Sequence, residues 1–179
     1  MSDFAVNFLS YESNTPVCYN TYGSPYGDLV LMTTESGVCG LHFLEEPLAY
    51  YLQLAEEKLG GLPLHAPERT RVWWDLIQQA TQTLPLVVKG TPFQINVWKA
   101  LCAIPSGTTC SYQDIAEQLG MKAGARAVGN AVANNFIGWL IPCHRIVRQD
   151  RKMGGYRWSA PRKRALLAAE VLGPIFTNA

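Results

Sequence analysis

"SYQDIAEQLGMKAGARAVGNAVANN", residues 111–135, decides how this chain is read. Ser111 precedes a helical pattern with Asp114 at its third position, and Gly120 supplies the stop. After the turn "MKAG", residues 125–135 form a second helix, so the pair reads as a helix-turn-helix. That second helix is almost bare of bulk: Ala125, Ala127, Gly129, Ala131 and Ala133 are small, and Arg126 is its only charge. Small residues suit either tight packing in a core or close approach of the helix to another surface. Arginine in a first turn opposes the preference of helix N-termini for anions. An anionic partner at that end would offset the cost.

Working outward, "GTPFQINVWKAL" at 90–101 opens another helix, with Thr91 as N-cap, Pro92 at the first position and Gln94 completing a capping box. Downstream, "FIGWLIPCHRIV" at 136–147 is an apolar run that must be buried. Taken alone, Cys143 there reads first as a small buried hydrophobe and only second as a nucleophile, which needs a thiolate and a base. Neighbours on an extended chain point to opposite faces. Cys143 and His144 therefore cooperate only if the backbone turns helical or a water links them. The tail "RQDRKMGGYRWSAPRKRALLAAE" at 148–170 gives a glycine-hinged loop and a last helix, with Ala165–Leu167 expected to face inward. Glu170 is either a solvated surface group or the carboxylate that holds His144 in a Cys–His–Glu relay.

The preceding half reads differently. Residues 17–44 hold short β segments broken by Ser-Pro and Gly turns. Helices follow over 47–60 and 67–84, the second with Val72, Leu76 and Ala80 as its inward stripe, widened by Trp73 and Ile77. "PLVVKG" at 85–90 reads as a connection. The expected organisation is an N-terminal lobe over 1–86 and a C-terminal domain over 87–179.

Net charge is +1, yet residues 89–170 carry twelve Lys/Arg against four Asp/Glu, a net of +8, leaving −7 elsewhere. That asymmetry suits a polyanion at the C-terminal half, or attraction between the two halves. Five cysteines (Cys18, Cys39, Cys102, Cys110, Cys143) form no CxxC pair, which suits reduced thiols in the cytoplasm. Cys18, Cys39 and His42 fall short of a zinc quartet, so no metal is expected. No run of about 18 apolar residues suggests a membrane span, and the N-terminus lacks the features of a secretory signal.

At this point the residues carry a resemblance. "GTPFQINVW", "IPSG", "SYQDIA", "RAVGNA", "NNFIGWLIPCHRIV", "GYRW" and "RKRALLAAE" run in the order and spacing of the O6-alkylguanine-DNA alkyltransferases. Within that family the chain looks most like the transferase half of the bacterial adaptive-response branch. The match is dense over 89–170 and loose before it, through "SPYGDLVL" and "GLHFLE". The resemblance implies an α+β fold: a small N-terminal antiparallel sheet with helices, ribonuclease-H-like, beside a helical C-terminal lobe with a winged-helix-like helix-turn-helix. It implies irreversible, single-turnover transfer of an alkyl group from O6-alkylguanine, and more weakly O4-alkylthymine, in double-stranded DNA to the protein's own cysteine, without a cofactor.

Residue by residue, Cys143 matches the alkyl acceptor, His144 the base acting through a water, and Glu170 its carboxylate. Arg126 matches the finger that fills the gap left by the flipped base, and Tyr112 the residue that helps rotate it. Ala125 and Ala127 belong to the slim helix that enters the minor groove. Gln94, Gln113 and Gln149 match positions near the DNA backbone. Asn135, Ile146, Tyr156, Arg157 and Gly138 match the substrate pocket or its supports. Phe136 and Gly138 stand where many members have proline, which bears on how bulky an alkyl group fits. The branch's zinc-binding regulatory half is not part of this chain, so gene activation is not expected. A lesion-binding relative that flips the base without removing the group is the alternative, but such relatives carry tryptophan at the position of Cys143. A cysteine hydrolase would usually draw its base from a distant segment. A plain repressor would need dimer geometry, and the chain is expected to be a monomer.

Overall fold

The computed structural model describes residues 4–80 and 82–172, apart from the side chain of Leu172. It is a mixed α+β chain of two compact units, Phe4–Lys89 and the residues from Gly90 on.

The first unit is built on a six-stranded sheet in the order β1-β6-β4-β3-β2-β5. Strands β2 (Cys18–Tyr22), β3 (Leu29–Thr34) and β4 (Gly37–Phe43) form an antiparallel meander. The other pairings are parallel: β1 (Val6–Ser10) with β6 (Leu84–Val88), β6 with β4, and β5 (Leu64–His65) with β2. The sheet is therefore mixed, where an antiparallel one was expected. Residues 84–88 form a strand between β1 and β4, not the connection that "PLVVKG" suggested.

Helix α1 (Leu48–Leu59) ends on Gly60 in the left-handed conformation, as glycine readily does. Helix α2 (Pro67–Gln79) buries Thr70, Trp74 and Ile77, while Val72 is 60% exposed. The expected stripe of Val72, Leu76 and Ala80 is thus rotated. Thr70 is a polar residue that burial does not penalise, because its hydroxyl meets the Tyr22 hydroxyl at 2.8 Å and reaches the carbonyls of Ala66 and Pro67. Trp74 stacks on Tyr22 with ring centroids 4.7 Å apart.

The second unit carries α3 (Pro92–Cys102), α4 (Tyr112–Gln118), α5 (Ala125–Ala133) and α6 (Ala160–Leu172). Both expected capping boxes are present: Thr91 with Gln94 opens α3, and Ser111 with Asp114 opens α4. Helix α5 packs on α3 and α4. Trp98 ties α3 to it by donating Nε1–H to the Ala131 carbonyl at 2.9 Å. Two short strands, β7 (Cys110–Ser111) and β8 (Ile146–Val147), pair in parallel and set the entrance of α4 beside the segment that follows Cys143. On α6 the inward residues are Lys163, Leu166, Ala169 and Glu170. Ala165, expected inside, is exposed. A lysine in the core looks costly, but its ammonium is fully accommodated, as described next.

Candidate active site

Residues 135–147 are buried throughout, and the chain crosses this region as a series of tight turns. Leu140 N–H reaches the Gly138 carbonyl, Ile141 N–H that of Ile137, and Cys143 N–H that of Ile141. Trp139 sits at φ +64, an uncommon conformation for a bulky residue that costs on the order of 1–2 kcal/mol. Asn135 holds the loop with all of its amide: Oδ1 accepts from Ile137 N–H at 2.9 Å, and Nδ2 donates to the Ile141 carbonyl at 3.1 Å and to Cys143 Sγ at 3.3 Å. Gly138 passes so close to Trp158 that a Cβ there would lie 2.5 Å from its ring.

At Cys143 the backbone does turn helical, forming a 3-10 turn over Cys143–Arg145 that opens after Pro142. His144 is wholly buried, and its Nε2 lies 2.7 Å from Glu170 Oε1. An ionised carboxylate only accepts, so Nε2 carries the hydrogen and Nδ1 presents a lone pair. Nδ1 has no hydrogen-bond partner among the described residues. Glu170 also accepts from Arg145 Nε and Nη2 at 2.9 to 3.2 Å, and from Gly107 N–H at 3.1 Å. Arg145 spends Nη1 on the Ile104 carbonyl. One carboxylate therefore ties the last helix to the turn, to the imidazole and to the loop after α3.

The electrostatics follow from this packing. Burial would raise the Glu170 carboxyl, but the hydrogen bonds from His144 and Arg145 outweigh it and hold the group at about 2. Burial pushes His144 below its ordinary value, while Glu170 pulls the other way, so the resting imidazole is neutral at pH 7. Burial pushes the Cys143 thiol up to about 11, against the Asn135 hydrogen bond and the positive charges of Lys163 and Arg157. At pH 7 only about 1 in 10⁴ molecules would hold the thiolate unaided. A resting thiol this protonated needs a base.

Cys143 stands in the wall of a cavity of about 400 Å³, within the size range of small-ligand sites. Tyr112, Gly129, Val132, Ala133, Tyr156, Arg157 and Trp158 line it with Cys143. One face of α5 thus borders the cavity, and Arg126 stands exposed in that helix's first turn. Tyr156 sets its ring edge-on to both His144 and Trp158, and its hydroxyl is buried without a hydrogen-bond partner among the described residues.

The expected site residues thus fall into groups. Tyr112, Cys143, Tyr156 and Arg157 share the cavity, while His144, next to Cys143 in the chain, is hydrogen-bonded to Glu170. Asn135 and Gly138 act from behind its wall, through Cys143 and Trp158 respectively, and Ile146 is buried with its carbonyl bound to Lys163. Ala125 and Ala127 are half-buried on α5. The glutamines stand apart from the cavity: Gln94 caps α3, Gln113 donates to Glu117 and to the Lys122 carbonyl, and Gln149 is exposed. Sequence reasoning missed Arg145 as the second partner of Glu170. It also missed Lys163, whose buried ammonium binds the carbonyls of Ile146, Met153 and Gly155 and so holds the cavity loop. Only Lys163 left a signal, in helical spacing: it lies two turns before Glu170, hence on the same face. All five cysteines are free thiols, and among the described residues no group of His, Cys, Asp or Glu converges as a metal site. No described helix is long and apolar enough to cross a membrane.

Chemically, this is a buried thiol next in the chain to a histidine that is hydrogen-bonded to a glutamate, set in a cavity bordered by the second helix of a helix-turn-helix. A family model described as the DNA-binding domain of 6-O-methylguanine DNA methyltransferase matches residues 92–172. Regulatory protein ada of Salmonella typhimurium is 50% identical over 172 residues, covering 93% of this chain and 49% of that protein. A methylated-DNA–protein-cysteine methyltransferase of Mycobacterium bovis is 49% identical over 156 residues, covering 85% of this chain and 91% of its own. The Mycobacterium tuberculosis OGT solved in complex with DNA superposes with a TM-score of 0.70 at 35% identity, covering 88% of this chain and 95% of that one. The chain belongs to the methylated-DNA–protein-cysteine methyltransferase family. It spans about half the length of the Salmonella relative.

Proposed function

We propose that this chain repairs DNA by direct reversal: it takes the alkyl group from O6-alkylguanine in double-stranded DNA, and more weakly from O4-alkylthymine, onto Cys143, once per molecule. The observation that carries this reading is a buried, protonated thiol sharing its surroundings with a neutral imidazole whose Nδ1 is unengaged and whose Nε2–H is fixed by Glu170. A water between Sγ and Nδ1 passes the thiol proton to His144, and the resulting imidazolium is stabilised by the Glu170 carboxylate. The thiolate displaces the alkyl carbon in line. The S–C bond forms, the C–O6 bond breaks, and its electron pair leaves on the purine, which then takes a proton. The thioether has no route back, so the molecule is spent.

The target base lies inside a duplex and must leave the stack. Helix α5 is slim enough for a minor groove, with Ala125 and Ala127 on it and Arg126 placed to occupy the vacated position. Tyr112 at the cavity edge helps turn the nucleotide inward, and Gln94, Gln113 and Gln149 act near the backbone. In this reading residues 1–86 form a ribonuclease-H-like lobe, and 87–179 a DNA-binding and transfer domain with a winged-helix-like motif. The chain works as a monomer in the cytoplasm. Incubation with a duplex holding a single O6-methylguanine tests the proposal: the lesion should vanish as the protein gains the mass of one CH₂. A lesion that persists beside protein of unchanged mass overturns it.

A further inference from the structure

Arg157 is a cation in the lining of the same cavity as Cys143, and the relay described above leaves it without a task. One of its Nη2–H groups donates to the carbonyl of Ala133, the last residue of α5. That bond suits a helix end, where carbonyls lack intrahelical partners and positive charge is favoured. Among the described residues its other N–H groups have no hydrogen-bond partner. The guanidinium is therefore anchored at one corner, with donors left over at the mouth of the cavity.

The transfer has a second charge problem besides the thiolate. When the C–O6 bond breaks, the departing purine holds a full electron pair, spread between O6 and N1. Tyr112 supplies at most one neutral donor there. A fixed cation aimed at developing negative charge is the device enzymes use for such a step, and arginine presents paired N–H donors that match a purine edge. We propose that Arg157 is the leaving-group residue: its guanidinium donates into the cavity to the purine oxygen as the alkyl carbon passes to Cys143. The inference rests on the function proposed above. Electrons and protons balance without a further reagent, since the thiol proton taken by His144 is the one that returns, by way of solvent, to N1 of the departing purine. The positive charge of Arg157 also favours the Cys143 thiolate, so it serves both ends of the displacement.

The test compares the parent with Arg157→Gln, which can keep a hydrogen bond to Ala133 but drops the charge, and with Arg157→Lys, which keeps the charge. Single-turnover rates are measured with O6-methylguanine in duplex DNA, with the free O6-methylguanine base, and with free 8-bromo-O6-methylguanine, whose anion departs more easily. Arg157→Gln should lose about tenfold or more on the duplex and on the free base. The loss should be clearly smaller on the bromo analogue, with part of the rate regained in Arg157→Lys. Equal losses on both free bases would mean a purely structural anchor and overturn the proposal. A loss confined to the duplex would reveal a phosphate contact and overturn it as well. A parent protein that accepts no methyl from any substrate removes the functional reading beneath it.

Discussion

Replacing Glu170 by glutamine tests the relay most sharply, because the substitution preserves shape while it removes the charge and turns one acceptor oxygen into a donor. The carboxyl is held at about 2, against an ordinary 4.5. That difference corresponds to about 3 kcal/mol of folding stability at neutral pH. Since the folded value is the depressed one, the contribution is complete above about pH 4.5 and is lost as pH falls toward 2. Glutamine does not titrate there. The stability gap between parent and Glu170→Gln should therefore be widest near neutrality and narrow through that acid window, as read by urea titration at a series of pH values. Transfer should suffer separately. The imidazolium formed at His144 exchanges a charged acceptor for a neutral one, a loss of about 1.5–3 kcal/mol, hence about 10- to 150-fold in rate. Single-turnover methyl transfer measured on folded protein, with DNA binding followed in parallel, reads this out. A folded variant that transfers at the parent rate would remove Glu170 from the relay.

Arg126→Ala should slow transfer from duplex DNA by about tenfold or more, because extruding a base costs a few kcal/mol, while reaction with free O6-benzylguanine stays near the parent rate. Equal loss on both substrates would argue against the finger role. Gly138→Ala drives a Cβ to within 2.5–2.9 Å of three ring atoms of Trp158. It should lower stability by about 1–3 kcal/mol in thermal melts, and the same change should cost clearly less when made in a Trp158→Ala background. Because Trp158 lines the cavity, Trp158→Ala alone should raise the rate with O6-benzylguanine relative to O6-methylguanine, and an unchanged ratio would show that Trp158 does not limit the size of the alkyl group.

The helices around the site were legible because their signals are local. Thr91 with Gln94 and Ser111 with Asp114 are capping boxes within four residues, and Gly60 is a one-residue stop. The contact of His144 with Glu170 was legible through the motifs that hold them, although 26 residues separate the two. What escaped depends on distant partners. Strand β6 contains Pro85, which weakens its appearance as a strand. It exists because β1 and β4 lie on either side of it. The stripe of α2 turned on Thr70, whose burial is compensated by Tyr22, 48 residues away. Lys163 escaped because its spacing to Glu170 marks the face it lies on, but nothing local reveals that three carbonyls converge on its ammonium. Arg145 escaped in the same way, through a carboxylate 25 residues downstream.

Following the alkyl atoms themselves tests the central claim most directly. Duplex DNA bearing O6-methylguanine with an isotopically labelled methyl group is incubated with excess protein, which is then digested and mapped by mass spectrometry. The account predicts that every label lost from the DNA is found on the peptide containing Cys143, one per spent molecule, and that Cys143→Ala acquires none while still binding the duplex. Label recovered as methanol, or retained on a base that is bound but unchanged, would contradict it.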